Sequence, residues 1–238
     1  MDKSKPLVSV VTPSFNCADV VVETMRSVQA QSFYEWEHII VDDASTDGSQ
    51  DAIDAFCQSE PRTRLVRLAD NGGAAVARNK AIELARGRFV AFLDADDLWK
   101  PGKLRHQIDF MTENDAAFTF SSYSKIDESG NSLGDVHAPP RQRYHDLLKN
   151  NTVGCLTAVY DTAVFGKVFM PSIRKRQDLG LWLRLLKKTE YAHGIQEVLA
   201  SYRLRPNSIS SNKFSAAAHT WRLYREVEEI PPLKAAYY

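Results

Sequence analysis

Apolar and polar positions follow a regular rhythm through the first hundred residues. Residues 7–12, Leu-Val-Ser-Val-Val-Thr, suit a buried strand that Pro13 is expected to stop. Val21, Val22, Met25 and Val28 recur at helical spacing, which predicts a helix over 18–31. Trp36 to Val41 reads as the next strand and ends in Asp42-Asp43. A polar loop then leads to a helix over 49–59. Leu65 to Leu68 forms a third strand. Asn71-Gly72-Gly73 breaks the chain before an Ala-rich helix, 74–86, with Gly87 at its end and a strand over 88–93. This βαβαβαβ order predicts a mostly parallel sheet with helices on both faces. In such sheets ligands bind at the carboxyl ends of the strands. Three strands end there in polar groups: Thr12-Pro13-Ser14, Asp42-Asp43 and Asp94-Ala95-Asp96.

The rhythm changes after Pro101. A helix over 101–112 precedes a weakly alternating strand, Phe118 to Ile126, and a loop or hairpin over 127–143 rich in Gly, Pro and charge. Residues 155–165 read as a strand pair. Leu179, Trp182, Leu183, Leu185 and Leu186 mark one face of a helix over 177–188. A strand over 191–204 and a final helix over 213–228 complete the chain. No internal repeat is present, and the second region reads as an extension of the first sheet.

Composition narrows the function classes. Hydrophobic residues make up 44% and charged residues 25% of 238, as in an ordinary globular protein. Thirty basic and thirty acidic residues cancel, which argues against bulk attraction to nucleic acid or an anionic membrane. Cys17, Cys57 and Cys155 are odd in number and widely spaced, as expected of reduced, structural thiols in a cytosolic protein. No segment has eighteen uninterrupted apolar residues, so the expected protein is soluble or at most attached to a membrane surface.

The candidate chemistry centres on Phe-Val-Ala-Phe-Leu-Asp-Ala-Asp-Asp-Leu, residues 89–98. A buried strand ending in Asp94 and Asp96 offers hard oxygen ligands suited to Mg²⁺ or Mn²⁺, and through them to phosphate. The same acids also suit a turn that caps the next helix, and Asp97 is expected in that role. Glycine-rich phosphate loops are absent: Pro13-Ser14-Phe15-Asn16 stands where a dinucleotide fingerprint would lie. Asp42 is expected to support its loop and Trp182 to lie in the core. His193 and His219 lack metal-site spacing. Arg203, Arg205, Ser208 and Ser210 either close over a diphosphate or form a solvated strand end; arginine suits bidentate phosphate contact.

Five fragments stand in a characteristic order: Val-Thr-Pro-Ser-Phe-Asn, Val-Asp-Asp-Ala-Ser-Thr-Asp, Asn-Gly-Gly-Ala-Ala-Val-Ala-Arg-Asn, Leu-Asp-Ala-Asp-Asp and Gln177-Asp178-Leu179-Gly180-Leu181-Trp182. Together they resemble family 2 glycosyltransferases of the GT-A fold, in particular bacterial enzymes of capsule, O-antigen and teichuronic-acid synthesis. The resemblance runs over about 7–188, and more loosely to 225 through Tyr-Arg-Leu-Arg-Pro-Asn-Ser-Ile-Ser. It implies one domain over 1–238, with a nucleotide half at about 7–100, an acceptor half at 101–212 and a C-terminal helix at 213–238. It implies that Pro13, Ser14 and Ala95 line a nucleotide pocket. Asp43 would bind uracil with Asn71 and Arg78 nearby, Asp94 would contact ribose, and Asp96 would hold Mn²⁺ or Mg²⁺. Asp178 would be the general base of an inverting transfer from a UDP-sugar to a lipid-linked saccharide or growing polysaccharide. The implied location is cytoplasmic, with room for peripheral contact at the inner face of the membrane. Gln177 departs from the Glu of that family, which removes a second carboxylate beside the base. A nucleotidyltransferase and a non-catalytic sugar-nucleotide-binding domain are the competing readings.

Overall fold

The computed structural model describes residues 5–205 and 213–238. Its first half alternates strand and helix: β1 (Val8–Ser14), α1 (Val21–Gln29), β2 (Trp36–Asp42), α2 (Ser49–Ser59), β3 (Thr63–Arg67), α3 (Ala74–Leu84) and β4 (Phe89–Phe92). Then follow β5 (Leu98–Trp99), α4 (Lys103–Glu113), β6 (Phe118–Ile126), β7 (Ser132–Val136), β8 (Arg141–Gln142) and α5 (Tyr144–Lys149). The chain continues through β9 (Val159–Asp161), α6 (Thr162–Phe165), α7 (Gln177–Leu186), β10 (Ala192–Arg203), α8 (Lys213–Arg222) and α9 (Pro232–Tyr237). Among the described residues the strands form one sheet in the order β3-β2-β1-β4-β9-β6-β10-β5, with β7 beside β6 and β8 beside β10.

Pairing is parallel from β3 through β4, as expected. Beyond β4 the sheet is mixed: β9 runs antiparallel to β4 and β6, whereas β10 is parallel to β6. The chain winds outward from β1 to β3, then returns through α3 to the other side of β1. That reversal opens a crevice between β1 and β4 at the carboxyl edge. Strict alternation sorts the strands onto two faces. Val11, Ile39, Val90 and Phe92 join Ala77, Ile82 and Trp182 in one core. Val8, Val10, Phe89 and Ala91 join Val28, Leu104 and Ile108 in another. Burial on both faces explains why β1, β2 and β4 read as continuous apolar runs.

Three expectations are corrected. Pro13 does not stop β1, which runs to Ser14 with Pro13 opposite Val41 of β2. The carbonyl of Val11 accepts from Leu93 on the β4 side. Pro13, two residues on, therefore turns its missing donor to that same side, past the end of β4, where no bond is lost. Residues 155–165 are not a strand pair but a 3₁₀ turn (155–157), β9 and α6. Asp161 ends β9 because its carboxylate caps α6, accepting the Ala163 N–H at 2.8 Å. The helix expected over 213–228 is α8 followed by a π-helical segment, 223–227, with α9 beyond. Among the described residues no helix is long and apolar enough to cross a membrane.

His38, wholly buried in β2, bonds Thr12 Oγ1 through Nε2 at 2.8 Å, while its Nδ1 has no partner. Burial pushes its pKa from 6.5 down to about 3. The unfolded chain therefore gains a proton below 6.5 that the native chain refuses, so stability is full above that pH and falls as pH drops toward 3. Denaturant titrations are expected to show a loss of about 2 kcal/mol from this residue between pH 6.5 and about pH 5. A His38→Gln variant should flatten that part of the pH profile.

Candidate active site

At the carboxyl edge, Asp42 organises the loop after β2. Its carboxylate accepts from Ser45 N–H (2.9 Å), Ser45 Oγ (2.5 Å), Gln50 Nε2 (2.7 Å) and Ser14 Oγ (3.1 Å). The Ser14 hydroxyl is thereby committed, and its carbonyl accepts the Asp43 N–H at 2.8 Å, which leaves the Pro13 main chain on the crevice side. Asp43 is 2% exposed and reaches the next loop, where its oxygens accept the N–H groups of Gly72 (2.8 Å) and Gly73 (2.7 Å). The Asn71 side chain donates to the Asp43 carbonyl at 3.2 Å. Each Asp43 oxygen keeps a second lone pair. Gly73 turns with φ +87°, a conformation that favours glycine, and α3 starts one residue later.

Arg78, one turn into α3, places its Nη2 2.5 Å from Asp94 Oδ1; the two side chains are 8% and 27% exposed. Burial alone would lower the guanidinium's pKa. The charge of Asp94, with smaller contributions from Cys155 and Asp178, outweighs that and raises it. Asp94 and Asp178 therefore both lie within electrostatic reach of one buried cation.

The acidic run is pinned from two elements. Thr24 of α1 donates to the carbonyls of Ala95 (2.8 Å) and Asp97 (2.9 Å). Arg203, the last residue of β10, donates through Nε to the Asp96 carbonyl (3.0 Å), through Nη1 to the Glu128 carbonyl (2.9 Å) and through Nη2 to Glu23 (2.6 Å). Asp97 does not cap a helix, because β5 intervenes before α4. Its Oδ1 accepts the Arg203 N–H at 2.9 Å, and its Oδ2 is buried with no partner. Burial, then the charges of Asp96 and Asp94, raise the Asp97 pKa. The Asp96 carboxylate has no side-chain hydrogen bond among the described residues, and burial followed by the charge of Asp94 raises its pKa as well.

The expected diphosphate group is thus divided. Arg203 is a buried structural tie and is not free to close over a ligand. Arg205 pairs with Asp19 at 2.5 Å. Ser208 and Ser210 lie outside the described residues. Sequence reasoning missed the ties of Thr24 and Arg203, whose partners are more than seventy residues away along the chain.

Asp178 stands in the first turn of α7, partly exposed and without a hydrogen bond from the described residues. Trp182, one turn below on the same face, is fully buried as expected. It lies edge-on to Phe92 and stacked on Phe118, each ring 5.3 Å away. Asn79 clamps the segment leading to α7: it donates to the Met170 carbonyl (3.0 Å) and accepts the Met170 N–H (2.7 Å). Gly180 lets Pro171 pack closely, since a Cβ there would lie 2.5 Å from Pro171 Cγ. These contacts bring Asp178 to the crevice from the side opposite β2.

A half-sheet that holds acids at its carboxyl edge, extended by a mixed half that delivers a helix-borne acid, defines a GT-A glycosyltransferase fold. The Staphylococcus aureus TarS 1–349 structure in complex with UDP-GlcNAc superposes with TM-score 0.77 at 21% identity, covering 97% of this chain and 68% of that one. The mannosyltransferase PcManGT from Pyrobaculum calidifontis, in complex with GDP-Man and Mn²⁺, does so with TM-score 0.72 at 18% identity over 96% of this chain and 66% of its own. The chain belongs to glycosyl transferase family 2, whose family model matches residues 9–168. It is 51% identical over 238 residues to TuaG of Bacillus subtilis, named for teichuronic acid biosynthesis, covering all of this chain and 94% of TuaG. It is 36% identical over 233 residues to Escherichia coli WfgD, a UDP-Glc:α-D-GlcNAc-diphosphoundecaprenol β-1,3-glucosyltransferase, covering 98% of this chain and 90% of that protein.

Replacing Trp182 with Ala opens the cavity that seats α7. The expected loss is about 3–5 kcal/mol by thermal or denaturant unfolding.

Proposed function

We propose that the protein is an inverting glycosyltransferase that moves a sugar from a UDP-sugar to a hydroxyl of a lipid-linked saccharide or growing surface polysaccharide. The observation that carries this reading is the Arg78 guanidinium, paired with Asp94 at the nucleotide edge and within electrostatic reach of Asp178 on α7. A single displacement needs a leaving diphosphate and a base on opposite sides of the anomeric carbon. The relatives named above support the substrate class. On this reading the reaction takes place on the cytoplasmic side of the membrane that carries the acceptor.

The roles follow from position. Asp43 keeps lone pairs free for the uracil edge while its amide bonds hold the Asn71 loop, and the main chain of Pro13, Ser14 and Ala95 lines the nucleotide. Asp94 offers the oxygen not spent on Arg78 to ribose. Asp178 orients the acceptor hydroxyl and takes its proton as the oxygen attacks. Asp96 fits a divalent cation, Mn²⁺ or Mg²⁺: its carboxylate has no side-chain hydrogen bond among the described residues, and burial and a neighbouring acid disfavour its charge until a cation compensates it. The orphaned Asp97 Oδ2 beside it points to the same need. Among the described residues no three His, Cys, Asp or Glu side chains form a closed cage, so diphosphate and water would complete the shell. When bound, the cation offsets charge on the departing diphosphate.

Asp178→Asn should lower kcat by about 10²–10⁴, the range for losing a general base. UDP affinity by calorimetry should stay close to wild type; a variant with wild-type turnover would refute the assignment. EDTA should stop transfer and added Mn²⁺ restore it, and full activity in chelator would remove Asp96 from that role.

A further inference from the structure

Cys155 has a position that no role above uses. It opens the 3₁₀ turn between Gly154 and β9, and this turn is held firmly. The Leu156 carbonyl accepts Trp99 Nε1 at 2.7 Å, and the Thr157 carbonyl accepts Gln107 Nε2 at 2.7 Å. Gly154 lies against the Tyr123 ring so closely that a Cβ would sit 3.0 Å from Cε1. Cys155 is part-exposed as a residue, and the charged groups that act on its thiol are Arg78, Asp94, Asp178 and Asp97. Because β9 runs antiparallel to β4 and the Phe92 N–H donates to the Ala158 carbonyl at 3.2 Å, the turn that carries Cys155 stands at the carboxyl end of β4, two residues before Asp94. A second observation concerns the partner of Asp94 at that strand end: Arg78 is more than nine-tenths buried, and its Nε has no hydrogen-bond partner. A buried donor without an acceptor is costly. A sugar hydroxyl oxygen arriving between Asp94 and Asp178 would relieve it.

We infer that Cys155 and the Arg78 Nε form the subsite for the transferred sugar ring, with a ring hydroxyl accepting from Nε and the thiol setting the room beside it. This rests on the UDP-sugar reading above and adds to it a residue that selects among donors. Burial pushes the thiol pKa up, so the group meets the sugar as a neutral, compact SH. A larger side chain would collide with the ring while leaving the nucleotide contacts of Asp43 and Asp94 untouched.

The test is methyl methanethiolsulfonate labelling of the intact protein at about pH 9, because burial raises the Cys155 pKa and only the thiolate reacts, with labelled cysteines quantified by peptide mass spectrometry. UDP, UDP-glucose and UDP-N-acetylglucosamine, each with Mn²⁺, are compared at concentrations shown by calorimetry to saturate. Cys57, part-exposed on α2, and Cys17, buried beside Ser14, serve as internal controls. At least one UDP-sugar should slow Cys155 labelling several-fold beyond UDP alone and leave Cys57 unchanged. Equal Cys155 rates with bound UDP and with both bound UDP-sugars would overturn the inference while leaving the transferase reading intact. Failure of UDP and of both UDP-sugars to bind would overturn the transferase reading and this subsite with it. In parallel, Cys155→Leu should raise KM for the UDP-sugar about tenfold or more, the scale of a misfitted pocket group. Its UDP affinity should hold, whereas a merely structural role would move both together.

Discussion

The packing of Trp182 between Phe92 and Phe118 is the contact on which the geometry of the candidate site depends. Phe92 ends β4 two residues before Asp94, and Trp182 lies one helical turn below Asp178. One aromatic contact thus relates the carboxyl edge of the sheet to the acid of α7, which are more than eighty residues apart in sequence. Rigid elements place groups more precisely than loops do, and here a strand end and a helix face are locked ring to ring. The Asn79 clamp on Met170 and the Pro171–Gly180 contact tie the same helix to α3, which carries Arg78. The cation and both acids it senses are therefore set by one packed unit.

Electrostatics then separates three carboxylates that stand within four residues. Asp94 is compensated by the Arg78 ion pair, and Asp97 is buried and partly satisfied by a backbone N–H of β10. Asp96 has no ion pair and no side-chain hydrogen bond among the described residues, although burial and the charge of Asp94 disfavour its charge. That graded compensation singles out Asp96 as the acid of the run to which the proposed cation is assigned. Arg203 holds the backbone of the run in place, and all three of its guanidinium nitrogens are engaged, by Asp96, Glu128 and Glu23. A basic residue at a strand end acts here as a structural tie between β10, α1 and the acidic turn.

The first half of the fold was legible because its strands are buried on both faces and its breaks carry Gly or paired acids. Asp43, Asp94 and Asp96 stood out for the same reason: strand ends at one sheet edge converge whatever the loops do. The remainder was hidden by long-range partners. Arg203 looked solvated because the groups that bury it lie at residues 23, 96, 97 and 128. Cys-Leu-Thr at 155–157 looked like strand because its apolar, β-branched pattern suits a strand equally well. Its turn comes from carbonyls captured by Trp99 and Gln107. Pro13 looked like a stop because its tolerance depends on β4 being shorter than β1, which no local pattern reveals.

The claim beneath all of this is that the base and the departing diphosphate flank the sugar from opposite sides. The anomeric configuration of the first-formed glycoside, read by NMR from a donor of known configuration, tests it most directly. An α-configured UDP-sugar should yield a β-linked product. An α-linked product would contradict the placement of Asp178 and the single displacement built on it.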